Sequence, residues 1–188
     1  MRCTKKDANG NLIAPKPFVP AVPKQHDGTC PPNESGFTEG VRFVRLKGTK
    51  QQSNYLQISQ VVVNDVDGKN VALKKPASLS SRDPGSSGGP GKDVDPNWAV
   101  DGLLNVRCGW PNDRVTIINY YPADPDPWWM VDLQEDFSIK QVYYYNRGLN
   151  CWGFRAQGVQ VQLLDSEKRV IKEYVMSSQR DIYCINTI

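Results

Sequence analysis

The chain has 188 residues, a formal net charge of +3, 39% hydrophobic and 23% charged residues, and one histidine. That length holds one ordinary domain plus an appendage, and the apolar content suffices for a core, which excludes a globally disordered chain. No stretch approaches the roughly 18 consecutive apolar residues of a membrane-spanning helix, the small net charge argues against nucleic acid as the partner, and the lone histidine argues against a zinc enzyme with the usual ligands.

Residues 1–40 carry Pro15, Pro17, Pro20, Pro23, Pro31 and Pro32 with few periodic apolar positions. Proline removes backbone donors and favours extended chain, so this stretch reads as an extended arm, either a passive linker or a strap along a neighbouring subunit. Its first residues, Met1 to Asp7, lack the apolar centre of a secretory signal. From residue 41 to 188 the pattern is β. Val41 to Leu46 and Tyr55 to Val63 are rich in β-branched and aromatic residues, Asp67-Gly68-Lys69-Asn70 supplies a turn, and Val71-Ala72-Leu73 follows. Residues 82–97 form a Gly-, Ser- and Pro-rich loop. Strands are then expected at Trp128 to Leu133, Ile139 to Tyr145, Gly158 to Leu164, Arg169 to Val175 and Ile182 to Ile185, with a turn at Asp165 to Lys168. Eight or so short strands without a long 3.6-residue period predict an all-β antiparallel sandwich.

Few motifs point to chemistry. A phosphate-binding loop needs Gly six residues before its Lys and Ser or Thr after it; Ser86 and Asp93 occupy those places around Lys92. His26 sits in the arm, away from any rigid scaffold a catalytic triad needs. Asp124, Asp126, Asp132 and Asp136 lie close along the chain but read as solvated turn acids. The protein is therefore expected not to be an enzyme. Cys3, Cys30, Cys108, Cys151 and Cys184 form no CxxC pair; one or two disulfides and isolated thiols both remain open. Alternation requires Trp128 or Trp129, and Tyr144 or its two neighbours, to point inward, while other aromatics offer flat faces for sugar rings.

Several ordered segments resemble one family. Asn70 to Ser81 resembles the NVALGKPATQSS opening of discoidin-like domains, which include coagulation-factor type C domains and the F-type lectins (fucolectins). Ala99-Val100-Asp101-Gly102 resembles their AVDG element, Trp128 to Leu133 their WWxVDL, and Asn146-Arg147-Gly148 the lectin NRG; Ile139 to Val142 and Gly158 to Val161 are similar to the intervening and following strands. The resemblance implies a galactose-binding-like jelly roll, a binding module. Upstream, Val41 to Leu46 and Tyr55 to Val63 are similar to segments that precede this opening in some large-DNA-virus and bacterial surface proteins.

Carried over residue by residue, the resemblance makes Arg147 and Arg155 the arginine pair that clasps sugar hydroxyls. Cys151 and Trp152 take the place of the family's adjacent cysteines, with Trp152 stacking on the sugar, and Tyr120, Tyr121 and Asp124 lie near the family's histidine position. It also makes Asp101 the side-chain ligand of a calcium ion, supported by carbonyls around Trp98 and Leu103. Two functions follow as expectations. One is recognition of a glycan or other surface ligand through the loops at one end of the jelly roll. The other is a minor capsid or virion component of a large DNA virus, with the arm tying it to neighbouring subunits. Both place the protein on a virion or an extracellular surface.

Overall fold

Val44 and Leu46, Val61 and Val63, and Val161 and Leu163 are fully buried. Each pair is separated by a residue of the opposite strand face, the arrangement a period-2 strand produces. The computed structural model describes residues 24–26, 29–30, 36–48, 55–81, 95–104, 116–118, 124–147 and 153–187. Its strands are β1 (Lys24–His26), β2 (Thr38–Lys47), β3 (Leu56–Ile58), β4 (Gln60–Asp65), β5 (Ala77–Leu79), β6 (Thr116–Ile118), β7 (Trp128–Tyr145), β8 (Gln160–Leu164), β9 (Val170–Met176) and β10 (Ile182–Asn186). Two short 3-10 turns, Pro96–Val100 and Gly153–Ala156, complete the described elements.

The architecture is the expected all-β one, mostly antiparallel and built around β7. Hydrogen-bonded strands run β1-β9-β8-β2-β7-β10, with β4 and β5 also paired to β7, while β3 and β6 pair separately. The first part of β7 lies between β2 and β5, and its last part between β10 and β4. On one flank β10 ends where β2 begins, and Thr38 joins them by donating its hydroxyl to the carbonyl of Thr187. Gln134 makes β7's interruption: its φ of 71° bends the strand, and its amide donates to Asp132 Oδ1 at 2.7 Å.

A disulfide joins Cys30 to Cys184, with Cα atoms 5.2 Å apart. It bears on the sheet's shape. Four Cα-to-Cα steps separate His26 of β1 from Cys30, so β1 lies within about 19 Å of Cys184 in β10. β10 continues the β2 edge of β7, but the registers put Lys24 level with Trp129 and Cys184 opposite Tyr143, so in a flat sheet the length of β7 would hold β1 and Cys184 about 40 Å apart. The sheet must therefore curl until its ends approach, which is how a sandwich encloses a core. That core gathers side chains from both halves of the chain, including Val44, Leu46, Ile58, Trp129, Leu133, Tyr144, Leu163, Tyr174 and Ile185.

Two turns share one construction. Asp65 Oδ1 accepts from the amides of Asp67 and Lys69, and Asp165 Oδ1 accepts from those of Glu167 and Arg169. The fourth residue of each has positive φ, Gly68 at 80° and Lys168 at 61°. A short acceptor side chain that bonds its own backbone two and four residues on stabilises such a turn.

The structure departs from the sequence reading in places. The expected strand 55–63 is broken by a bend at Ser59 into β3 and β4, and the two expected strands at 128–133 and 139–145 are one continuous β7. Within the proline-rich stretch 1–40, β1 pairs in parallel with β9, Lys24 opposite Tyr174 and His26 opposite Met176, and β2 already begins at Thr38. The described part of the arm is thus laid on the chain's own sheet. Most of the loop at 82–97 lies outside the described residues.

Candidate functional site

The end of β7, the residues around β3 and the turn Gly153–Ala156 meet at one place. β7 continues into Asn146, whose amide donates to the Asp181 carbonyl at 2.8 Å, and Asn146 Oδ1 accepts from the Arg147 amide at 2.8 Å. Tyr144, fully buried, donates its hydroxyl to the Gln57 carbonyl at 2.6 Å, which locks β3 against β7. Burial, with Tyr183 beside it, pushes the Tyr144 phenol well above its ordinary value, so it stays a neutral donor.

Arg147 is buried, whereas Arg155 is half-buried. The Arg155 guanidinium lies over two rings, 5.5 Å from the centroid of Tyr55 and 5.7 Å from that of Phe154. Burial is the main force lowering the Arg155 pKa; the positive charge of Arg147 lowers it further, and Tyr55 opposes both. The structure therefore brings the two predicted arginines within each other's electrostatic range. Trp152 lies outside the described residues, as do Cys3, Cys108, Cys151, Tyr120 and Tyr121.

Two residues here escaped the sequence reading. Gln57 and Gln60 are 0% and 3% exposed, and neither side-chain amide forms a hydrogen bond among the described residues. Their signal was a pair of polar residues in a run otherwise suited to burial. Leaving a buried amide unpaired costs about 1–3 kcal/mol. Gln60→Met, near in shape and without the polar atoms, is expected to stabilise the protein by about 1–3 kcal/mol, read as a raised denaturation midpoint in urea; a lowered midpoint counts against it.

Asp101 stands in a different local structure. The turn Pro96–Val100 is capped by Asp95, whose Oδ1 accepts from the Asn97 amide at 2.8 Å. It is fixed to its surroundings by Trp129 Nε1 donating to the Pro96 carbonyl at 2.9 Å and by the Ala77 amide donating to Asn97 Oδ1 at 2.9 Å. Asp101 follows and closes its own turn, with Oδ1 accepting from the Leu103 amide at 2.7 Å. Gly102 is required there: its φ is 85°, and a Cβ would lie 2.9 Å from Leu73 Cδ1. Among the described residues no three Asp, Glu, His or Cys side chains gather to hold a metal. Among the described residues, a calcium ion at Asp101 would therefore rely mainly on carbonyl, side-chain amide or water oxygens for its six to eight ligands.

The acids of 124–136 are not all solvated. Asp126 and Asp136 are exposed, but Asp124 is buried and accepts from Ser80 and Ser81 hydroxyls and from the Asp126 amide. Asp132 pairs with Arg42, Nε to Oδ1, at 2.6 Å. Burial pushes the Asp124 carboxyl up, but its three hydrogen bonds outweigh this and hold it below the ordinary value. A depressed native pKa contributes stability above the unfolded value, near pH 4, and that contribution is lost as pH falls through the native value. Asp124→Asn is therefore expected to lower stability at neutral pH and flatten the acid limb of the stability–pH curve below about pH 4. A variant curve parallel to the parent down to pH 2 would refute this.

Residues 98–187 match the family model described as NedA-like, galactose-binding domain. Comparison with curated proteins and with solved structures gave no match. Among the described residues no helix is long and apolar enough to cross a membrane. The matched span contains β6 to β10 and both predicted arginines, and it lies within an all-β sandwich, so residues 98–187 are similar to a discoidin-like, galactose-binding-like domain.

Proposed function

We propose that the protein is a non-catalytic carbohydrate-binding module that holds its ligand through Arg147 and Arg155, at the end of the sandwich where β7 runs out. The observation that carries the reading is the Arg147–Arg155 pair within a galactose-binding-like domain. Two guanidinium groups offer many donors in fixed planes, suited to the acceptor oxygens of neighbouring sugar hydroxyls. Trp152 would add a flat apolar surface. The Cys30–Cys184 bond suits an oxidising setting such as an extracellular or virion surface.

Binding to a glycan array by the parent and by Arg147→Ala tests the reading. The parent is expected to retain a defined set of glycans and the variant to lose them by at least about tenfold, the equivalent of 1.4 kcal/mol. A parent that binds nothing at high protein concentration removes the proposal. The reading extends to calcium at Asp101, and repeating the titration with calcium and with a chelator decides that part: equal affinity and equal melting temperature in both exclude the ion.

A further inference from the structure

The loop of residues 177–181, between β9 and β10, is tied to the neighbours of both predicted arginines. On one side Gln157, two residues beyond Arg155, donates to the Ser177 carbonyl at 3.4 Å and accepts from Gln179 Nε2 at 3.0 Å. On the other side the Asp181 carbonyl accepts from the amide of Asn146, the residue before Arg147, at 2.8 Å. Tyr183 holds the loop as well: its hydroxyl accepts from the Arg180 amide at 2.8 Å and donates to the Ser178 carbonyl. Arg180 is exposed, so a third guanidinium projects from a fixed loop at the end of the sandwich that carries Arg147 and Arg155.

The charge at this end is one-sided. The described segments that meet here, 55–57, 146–147, 153–158 and 177–182, hold three arginines against a single carboxylate, Asp181. Residues 148–152, which join two of them, add no charge. Arg147 is 6% exposed, and a cation taken out of water gains more from a counter-charge than a solvated one does. Burial and Arg147 already lower the Arg155 pKa, and an anion beside the pair acts in the opposite direction. Each guanidinium carries five N–H donors in a fork that fits carboxylate or sulfate oxygens two at a time, so contacts within the protein on one edge are compatible with an anion on another.

We propose that Arg180 is a ligand-contacting residue and that the sugar held at this end is acidic, its carboxylate or sulfate group received by Arg180 together with Arg147 and Arg155. This inference rests on the carbohydrate-binding reading and gives it a ligand class and a further residue. A neutral sugar offers hydroxyl dipoles only and leaves the like charges unbalanced. An acidic one offsets their repulsion, so affinity follows the charge of the ligand and falls as salt screens it.

The probes are sialyllactose, sulfated lactose and lactose, titrated into the full chain by calorimetry at low and at high salt, beside an array holding neutral, sialylated, uronic and sulfated glycans. At least one of the two charged sugars is expected to bind about tenfold or more tighter than lactose, with the gap narrowing at high salt. The sialyl and sulfate arms identify which acid group is taken. Arg180→Gln is expected to melt with the parent, because the side chain is exposed and the bond to Tyr183 is made by the backbone amide. It is expected to lose about three- to fivefold for the acidic sugar, the size of one exposed charge pair, with lactose affinity unchanged; Arg180→Lys, which keeps the charge, is expected to recover part of the loss. If Arg180→Gln binds acidic sugars like the parent, Arg180 is not a contact and the inference falls. If the parent retains only neutral glycans and Arg147→Ala loses them, the acidic class falls and the broader reading stands. A parent that binds no sugar of either kind overturns both.

Discussion

A fragment comprising residues 95–188 is expected not to fold, although it contains the whole of the span 98–187 that matches the galactose-binding family. The reason is topological. β2 lies between β7 and β8 and pairs with both, Leu46 opposite Trp129 on one side and Val161 on the other. Without it β8 and β9 have no ladder connecting them to β7, and only β10 still pairs with that strand. β4 and β5, also upstream, cover the other flank of β7. The deleted part supplies Val41, Val44, Leu46, Leu56, Ile58, Val61, Val63 and Val71 to the core, all at most 4% exposed. At about 1.5–3 kcal/mol for each buried aliphatic side chain, their loss exceeds the 5–15 kcal/mol by which a domain is normally stable. The amide spectrum of the fragment is expected to be poorly dispersed, with no cooperative thermal transition, whereas a chain beginning near residue 24 keeps both. A sharp melt from the isolated fragment would show that β7 to β10 form a unit on their own.

The same arrangement explains which parts of the fold were legible in the sequence. Long alternating runs announced β2, β4 and β7 to β10, because half-buried strands impose period 2 on their side chains. β1, β5 and β6 have three residues each, too few for a period to show, and they exist because β9, β3 and β7 offer edges to pair with. β7 read as two strands because Gln134, Glu135 and Asp136 are exposed and polar, the usual signature of a turn. The chain instead passes through a bulge and continues, with Val41 opposite Phe137 beyond it. At the site, Arg147 and Arg155 stood out only through resemblance to a family, since an arginine eight residues from another carries no spatial information by itself. Phe154 was hidden for a related reason: whether an aromatic faces the core or solvent depends on a 3-10 turn that has no readable period. Asp124 was taken for a turn acid because its partners, Ser80 and Ser81, lie more than forty residues away.

Removing the Cys30–Cys184 bond is expected to have the other large effect. The two cysteines are separated by 154 residues, and cross-linking so long a loop restricts the unfolded chain by about 5 kcal/mol on the chain-entropy account. In the native state the bond fastens the segment following β1 to β10, a strand whose ladder runs to β7 alone. β1 itself contributes only three parallel pairs to β9. β1 rests on those three pairs, whereas β10 is also held by the fully buried Tyr183 and Ile185, so the bond's loss should be felt locally as well as globally. The double variant Cys30→Ala, Cys184→Ala is expected to lose about 2–5 kcal/mol of stability, which for a chain of this size lowers the melting temperature by roughly 5–20 °C. Amide exchange should speed up first at Tyr174, Val175 and Met176, where β1 pairs, and along Ile182 to Asn186. Reducing agent should lower the parent's melting temperature and leave the double variant's unchanged, because the variant has no such bond to lose. If the variant melts with the parent, the pairing of these two cysteines does not hold the arm; if it melts lower but exchange at β9 and β10 is unchanged, the bond acts on the unfolded chain alone.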